Sequence, residues 1–434
     1  MSSKIRVVSI QKAEQFPINT RSEGYSFRYG ANNITFNLGS VNDRLIDVDS
    51  LRLNFLLQVI DTNGGDTYVN NQDTYGTGAR QCLIDDRTGA NGCIHTLRVT
   101  NGENAVISEI RNYNRLLCGA IPATKSFMDY KSNVSVEELA LAKSDSEGLL
   151  VNGDMPCSLK LRAGIFQDKP INLADMGNGL IIDITLAPDN LFLYGTSSGD
   201  CYYRLKNVSL TWNWLVLSSP MPPSNEQFQY PLYRNFLSIL QSSDSTTSLN
   251  LNLNSVRNVH ATFIKSSSVN NSATNSFETN QIQNNAGDNQ AVKEYSHRRN
   301  NVRYNNKFNV SERIATTNSV YPALLGRNGL NAMQPFDNIE NCLQSPETQN
   351  VGARTFKGRI VGDVDLPDDR DLYILGVSYD QLSVGFGAEF ERSPYGLRIE
   401  SELTTSEANS VYTYALANAG LAVQKRGQSV QQLD

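Results

Sequence analysis

The chain has little of what most catalytic, membrane or nucleic-acid-binding sequences depend on. No run of about 18 apolar residues occurs, which excludes a membrane-spanning helix. The opening MSSKIRVVSIQKAEQ lacks the apolar centre of a signal peptide, so none is expected. Positive charge is in deficit: 38 Lys and Arg face 44 Asp and Glu, a net charge of −6. Phosphate binding needs clustered cations, so broad or direct sequence-specific nucleic-acid binding is not expected. The best local exception, His297-Arg298-Arg299 with Arg303 and Lys307, reads as a solvated loop. Histidine is scarce: His95, His260 and His297 lack the i+2 or i+4 spacing of a metal set and read as structural. The six cysteines (Cys82, Cys93, Cys118, Cys157, Cys201, Cys342) form no Cys-x-x-Cys pair. That excludes zinc spacing and a dense disulfide framework, and predicts free thiols in a protein made in a reducing compartment.

Helical pattern is scarce as well. Val106, Ile107, Ile110, Tyr113 and Leu117 would share one helical face, so part of 105–117 is expected to be helical. In 134–142, Ser135 followed by Glu138 has the arrangement of a capping box. What the chain does have is period-two alternation. The runs 24–38, 50–60, 93–99, 158–166, 180–186 and 202–217 alternate apolar and polar residues or are rich in strand formers. Turn dipeptides lie between them at Asn63-Gly64, Asn91-Gly92, Asn101-Gly102 and Asn152-Gly153. Polarity comes from Asn, Ser, Thr and Gln rather than from charge, which suits strands joined by long loops.

The alternation breaks at LSSPMPPSNEQFQYP (217–231), where three prolines in four residues forbid a continuing strand. Strands resume over 248–254, 256–264, 370–379, 395–403 and 410–423. The stretch 266–291 is almost all Ser, Asn, Thr, Gln and Ala, and is expected to be an exposed or disordered loop. Two segments echo each other across the break. Tyr203-Arg-Leu205-Lys-Asn207-Val-Ser-Leu210 and Tyr414-Ala-Leu416-Ala-Asn418-Ala-Gly-Leu421 both fit Y-x-L-x-N-x-x-L. Each follows a strand that opens Gly-Leu, at Gly179-Leu180 and Gly396-Leu397. The opening strands 34–38 and 248–253 lie at a similar offset, so one unit is expected to occur twice.

No catalytic constellation emerges. Gly385-Phe-Gly387 lacks the third glycine of a dinucleotide fingerprint, and Gly76-Thr-Gly78 lacks the Lys-Ser/Thr of a phosphate loop. Five carboxylates (Asp363, Asp365, Asp368, Asp369, Asp371) are interrupted by Pro367 and lack an EF-hand glycine, so they read as an acidic turn. Trp212 and Trp214, two apart on a strand, share one face, where core packing or a subunit contact outranks a sugar-stacking platform. The expectation is a non-enzyme with no catalytic, cofactor-binding or metal-binding residues and no cofactor.

Four stretches carry a family resemblance: SVNDRLIDVDSLRLNFLLQV (40–59), LRVTNGENAVISEIRNYNRLL (97–117), ILGVSYDQL (374–382) and VYTYALANAGLAVQKRGQSV (411–430). Together with the proline-rich joint, they are similar to double jelly-roll major capsid proteins of tailless double-stranded DNA viruses, virophages and Polinton-like elements. The resemblance implies an all-β fold of two tandem eight-stranded jelly-roll sandwiches with short inserted helices and long loops. It divides the chain into an arm (1–22), a first roll (23–217), a linker (218–231), a second roll (232–423) and a tail (424–434). It further implies homotrimers that form pseudo-hexameric capsomers and tile an icosahedral shell in the virion, after synthesis in the host cytoplasm or nucleus. Neighbouring capsomers, penton and minor capsid proteins would be the partners, with contact to an inner membrane left open. The stretches 61–92 and 266–291 would lie at outer towers or subunit contacts, and the arm and tail would order only against neighbours or an inner layer. The family brings no catalytic residues. The alternative is a carbohydrate-binding β-sandwich adhesin or lectin.

Overall fold

The computed structural model describes residues 5–19, 26–30, 33–62, 67–68, 82–85, 88–117, 143–144, 149–151, 153–166, 169–195, 200–221, 227–241, 246–249, 256–277, 294–299, 302–303, 308–309, 375–378, 397–402, 408–422 and 431–433. Sixteen strands lie on the main sheet paths. The first eight are β1 (Val7–Gln15), β2 (Ile34–Gly39), β3 (Arg44–Asp61), β4 (Ile94–Asn101), β5 (Val106–Arg111), β6 (Met155–Lys160), β7 (Gly179–Leu186) and β8 (Cys201–Leu217). The next eight are β9 (Gln227–Leu240), β10 (Thr246–Leu249), β11 (Val256–Lys265), β12 (Glu294–Arg299), β13 (Val302–Arg303), β14 (Leu375–Ser378), β15 (Leu397–Glu402) and β16 (Asn409–Ala422). Shorter strands, such as Ser26–Phe27 and Gln431–Leu433, pair alongside these paths.

The sheet orders repeat. In the first set they are β1-β8-β3-β6 and β2-β7-β4-β5; in the second they are β9-β16-β11-β14 and β10-β15-β12-β13. Adding eight to each strand of the first set gives the second. In both, the first strand lies beside the last, the wrapping of a jelly roll. The sequence echo falls on this symmetry: Tyr203 lies in β8 and Tyr414 in β16, Gly179-Leu180 opens β7, and Leu397 opens β15, with Gly396 outside the described residues.

Alternation explains the first core. Ile34, Phe36 and Leu38 on β2 stand opposite Ile184, Ile182 and Leu180 on β7, which face Leu97, Val99 and Asn101 on β4. The facing sheet contributes Leu57 between Leu205 and Met155, and Leu53 between Leu210 and Leu159. All these apolar side chains are buried in one cluster. Asn207 breaks the regular ladder of β8. It has φ +50°, a left-handed conformation that Asn tolerates. It and Val208 together stand opposite Phe55 in a bulge of the β8–β3 ladder.

Several expectations need correction. The arm does not wait for a neighbour: residues 7–15 form β1 and pair with β8, Gln15 opposite Leu210 and Ala13 opposite Trp212. Its alternation was invisible because most of the strand is exposed. In the tail, Gln431–Leu433 pairs with residues 420–422. The break ends earlier than 231, since β9 begins at Gln227 and contains Pro231; β9 is the edge of its sheet path, where a missing N–H is tolerated. Residues 106–111 are a strand and only 113–117 are helical. Asn101 Oδ1 accepts the N–H groups of Glu103 (3.1 Å) and Ala105 (2.8 Å) and turns β4 into β5, and Asn112 at φ +51° ends the strand. Asn91-Gly92 is no hairpin turn but part of a buried 3-10 turn, Gly89–Cys93. His297, Arg298 and Arg299 lie in β12 and Arg303 in β13, not in a loop. The segments 134–142, 363–371 and 385–387, and residues 63, 64, 76–78, Cys118, Lys307 and Cys342, lie outside the described residues.

Candidate assembly surfaces

The two strand sets meet along the edge strand β9. The Pro231 carbonyl oxygen stands 1.5 Å from where a side chain on Gly164 would begin, so the backbones touch and only glycine fits. The Tyr230 hydroxyl donates to Ile107 O (2.8 Å), and Asn112 Nδ2 donates to Asn235 Oδ1 (3.0 Å). The Tyr414 hydroxyl donates to Asn112 O across the joint (2.8 Å). Its counterpart Tyr203 stays within the first set, donating to Ala187 O at 2.5 Å and packing edge-on against Phe192. One motif thus fills a core in one copy and joins the copies in the other.

The polar stretch after β11 closes the joint from the other side. Residues 266–277 were expected to be exposed or disordered, yet they fold back onto the first set. Gly195 N–H donates to Ser272 O (2.9 Å), Asn190 Nδ2 to Asn270 O (2.8 Å) and Asn275 Nδ2 to Asp85 Oδ2 (2.7 Å). Phe277 is buried beside Gly92. Within 61–92, Cys82 to Asp85 and Thr88 to Gly92 are buried rather than at an outer surface, while Thr62 is exposed. Arg115 lies in the same place, 2% exposed. Its guanidinium stacks 4.4 Å from the Tyr412 ring centre and 5.4 Å from that of Phe277, and Nη1 donates to Ser276 O.

Outward-facing apolar residues concentrate on the two equivalent edge strands. On and around β1, Ile5, Val7, Val8, Ile10, Phe16 and Ile18 are exposed, Ile10 by 64%. On β9, Leu237 and Ile239 are 56% and 61% exposed. An unpaired edge that also carries apolar side chains invites another chain.

Of the residues singled out by sequence, Trp212 and Trp214 pack edge-to-face at 5.8 Å in the core, not on a sugar platform. His95 on β4 is half-buried; burial and the nearby Arg115 charge push its pKa below the usual histidine value. Cys82, Cys93, Cys157 and Cys201 are buried thiols. The hydrogen bond with Cys201, together with burial, raises the Cys82 thiol, and burial raises Cys93 and brings Cys157 up to about 12. Such thiols are poor nucleophiles at neutral pH. Among the described residues, no group of three His, Cys, Asp or Glu is placed to hold a metal ion. Sequence reasoning missed Arg115, Phe277 and the β1 stripe. Nothing in the sequence separates Arg115 from any other arginine, and polar surroundings hide Phe277.

No family model matches the chain, and neither does any curated protein sequence. Solved structures do match over nearly its whole length. PBCV-1 VP54, as fitted into a reconstruction of the virophage Sputnik, aligns with a TM-score of 0.58 at 11% identity, covering 99% of this chain and 98% of that one. The Faustovirus major capsid protein aligns at 0.56 and 10% identity, covering 96% and 90%. A chain of the Sputnik virophage aligns at 0.54 and 12% identity, covering 98% and 88%. The chain therefore has the double jelly-roll fold of viral major capsid proteins.

Proposed function

We propose that this chain is a major capsid protein with no catalytic role, located in the virion. Its two rolls, β1–β8 and β9–β16 with β1 and β9 as their edge strands, act as two similar wedges. Three chains supply six wedges, so a homotrimer presents a near-hexagonal outline that tiles an icosahedral shell with its neighbours, pentons and minor capsid proteins. The observation that carries this reading is the repeated sheet order β1-β8-β3-β6 and β9-β16-β11-β14, in a chain that aligns end to end with capsid proteins. Exposed apolar edges on both sets suit lateral subunit contacts.

Light scattering coupled to gel filtration should give three times the 48.0 kDa chain mass. Negative-stain images of that species should show hexagonal outlines. A strictly monomeric protein that binds immobilised glycans would overturn the capsid reading in favour of a carbohydrate-binding sandwich.

A further inference from the structure

Arg115 brings a positive charge into the joint between the two strand sets without a carboxylate to meet it among the described residues. Of its three nitrogens, only Nη1 is engaged, by Ser276 O; Nε and Nη2 are buried and have no hydrogen-bond partner. Those two nitrogens form one edge of the guanidinium, with parallel N–H groups that match two oxygens of a carboxylate or phosphate. Stacking on Tyr412 and Phe277 supports the cation from its faces but leaves that edge unsatisfied. A buried, half-engaged guanidinium is costly unless something pairs with it.

A second orphan stands nearby. Thr262 lies directly across the β11–β16 ladder from Tyr412, on the same face, and its hydroxyl is buried without a partner. On the other side of Tyr412, across the β9–β16 ladder, stands the exposed Leu237. The row Leu237, Tyr412, Thr262 thus starts at an exposed residue and ends at the unsatisfied Thr262 hydroxyl, with the Arg115 guanidinium stacked on Tyr412 between them.

The geometry points to an oxyanion site at this joint, in which Arg115 Nε and Nη2 hold two oxygens of a small phosphate- or carboxylate-type anion and the Thr262 hydroxyl donates to it. The anion joins the sets, because Arg115 belongs to the first and Thr262, Tyr412 and Ser276 to the second. This assignment is independent of the capsid reading.

Thermal unfolding of the full-length protein tests it, with inorganic phosphate titrated against sodium chloride at equal ionic strength and acetate as a third arm. The wild type should show a saturable rise in melting temperature with phosphate or acetate beyond the chloride control; the stronger arm identifies the anion class. Arg115→Lys keeps the charge but loses the fork, and should weaken the apparent affinity by about tenfold. Thr262→Val, nearly isosteric, should weaken it less while leaving the chloride baseline folded. No saturable response in the wild type overturns the site, and so does a response that both variants retain in full. If Arg115→Lys fails to fold, an unchanged response in Thr262→Val is sufficient to overturn it.

Discussion

At the scale of single residues, His95 makes stability depend on pH in a definite direction. Burial and the Arg115 charge lower its pKa in the folded chain relative to the unfolded one. Above the ordinary histidine value near 6.5 both states are neutral and its contribution is complete. As pH falls below that, the unfolded chain takes up a proton that the folded chain resists, so stability is lost. His95→Gln should therefore flatten the decline in denaturant midpoint between about pH 7.5 and 5.5 relative to wild type. Parallel wild-type and variant curves would remove this role. The paired tyrosines give a second residue-scale prediction. Tyr203→Phe takes its hydroxyl donor from Ala187 O deep in the core and should cost about 1–3 kcal/mol. Tyr414→Phe should cost less, about 0.5–1.5 kcal/mol, because Asn112 O still accepts from the N–H groups of Arg115 and Leu116. Urea denaturation of both variants checks the order.

At the scale of elements, the joint rests on a close approach between a 3-10 turn, Gly164–Phe166, and β9. Gly164→Ala would place a carbon on the Pro231 carbonyl and force two backbones apart, at a cost of about 3 kcal/mol. Gly39→Ala meets nothing within 4 Å and should stay within about 0.5 kcal/mol of wild type. Equal denaturant midpoints for the two variants would mean that the joint yields without cost. Elements of this kind also mark what a sequence can reveal. Strands β2, β3, β7 and β8 were legible because one face of each is buried, which imposes period two. Strand β1 was not, since so little of it is buried. The segment 106–117 has helical apolar spacing, and the strand in its first half is decided by the Asn101 turn rather than by that spacing. The joint was the least legible part. Its bonds run largely to main-chain carbonyls, which every residue possesses, and its polar segment 266–277 has a single buried aromatic, Phe277.

At the scale of the molecule, duplication leaves two equivalent edges, β1 and β9, with different fates. Strand β9 is partly used inside the chain, where Tyr230 and Asn235 bond the first set. Strand β1 has β8 on one side and, among the described residues, no strand on the other. Its apolar side chains Val8 and Ile10 face water. If the chain assembles as proposed, this edge has to be covered by a neighbouring subunit, since an open apolar edge is an aggregation hazard. Because these residues are exposed in the single chain, the double substitution Val8→Glu/Ile10→Glu should shift its thermal midpoint little, with a cost of about 0.5 kcal/mol or less per site. Across a subunit contact it would bury two carboxylates against apolar surface, which is strongly unfavourable. The variant should therefore remain folded by circular dichroism yet lose its trimers or shell-like particles in sedimentation velocity. Unchanged assembly would show that the β1 edge is not a subunit contact, and the exposed pair on β9, Leu237 and Ile239, would be the next edge to test in the same way.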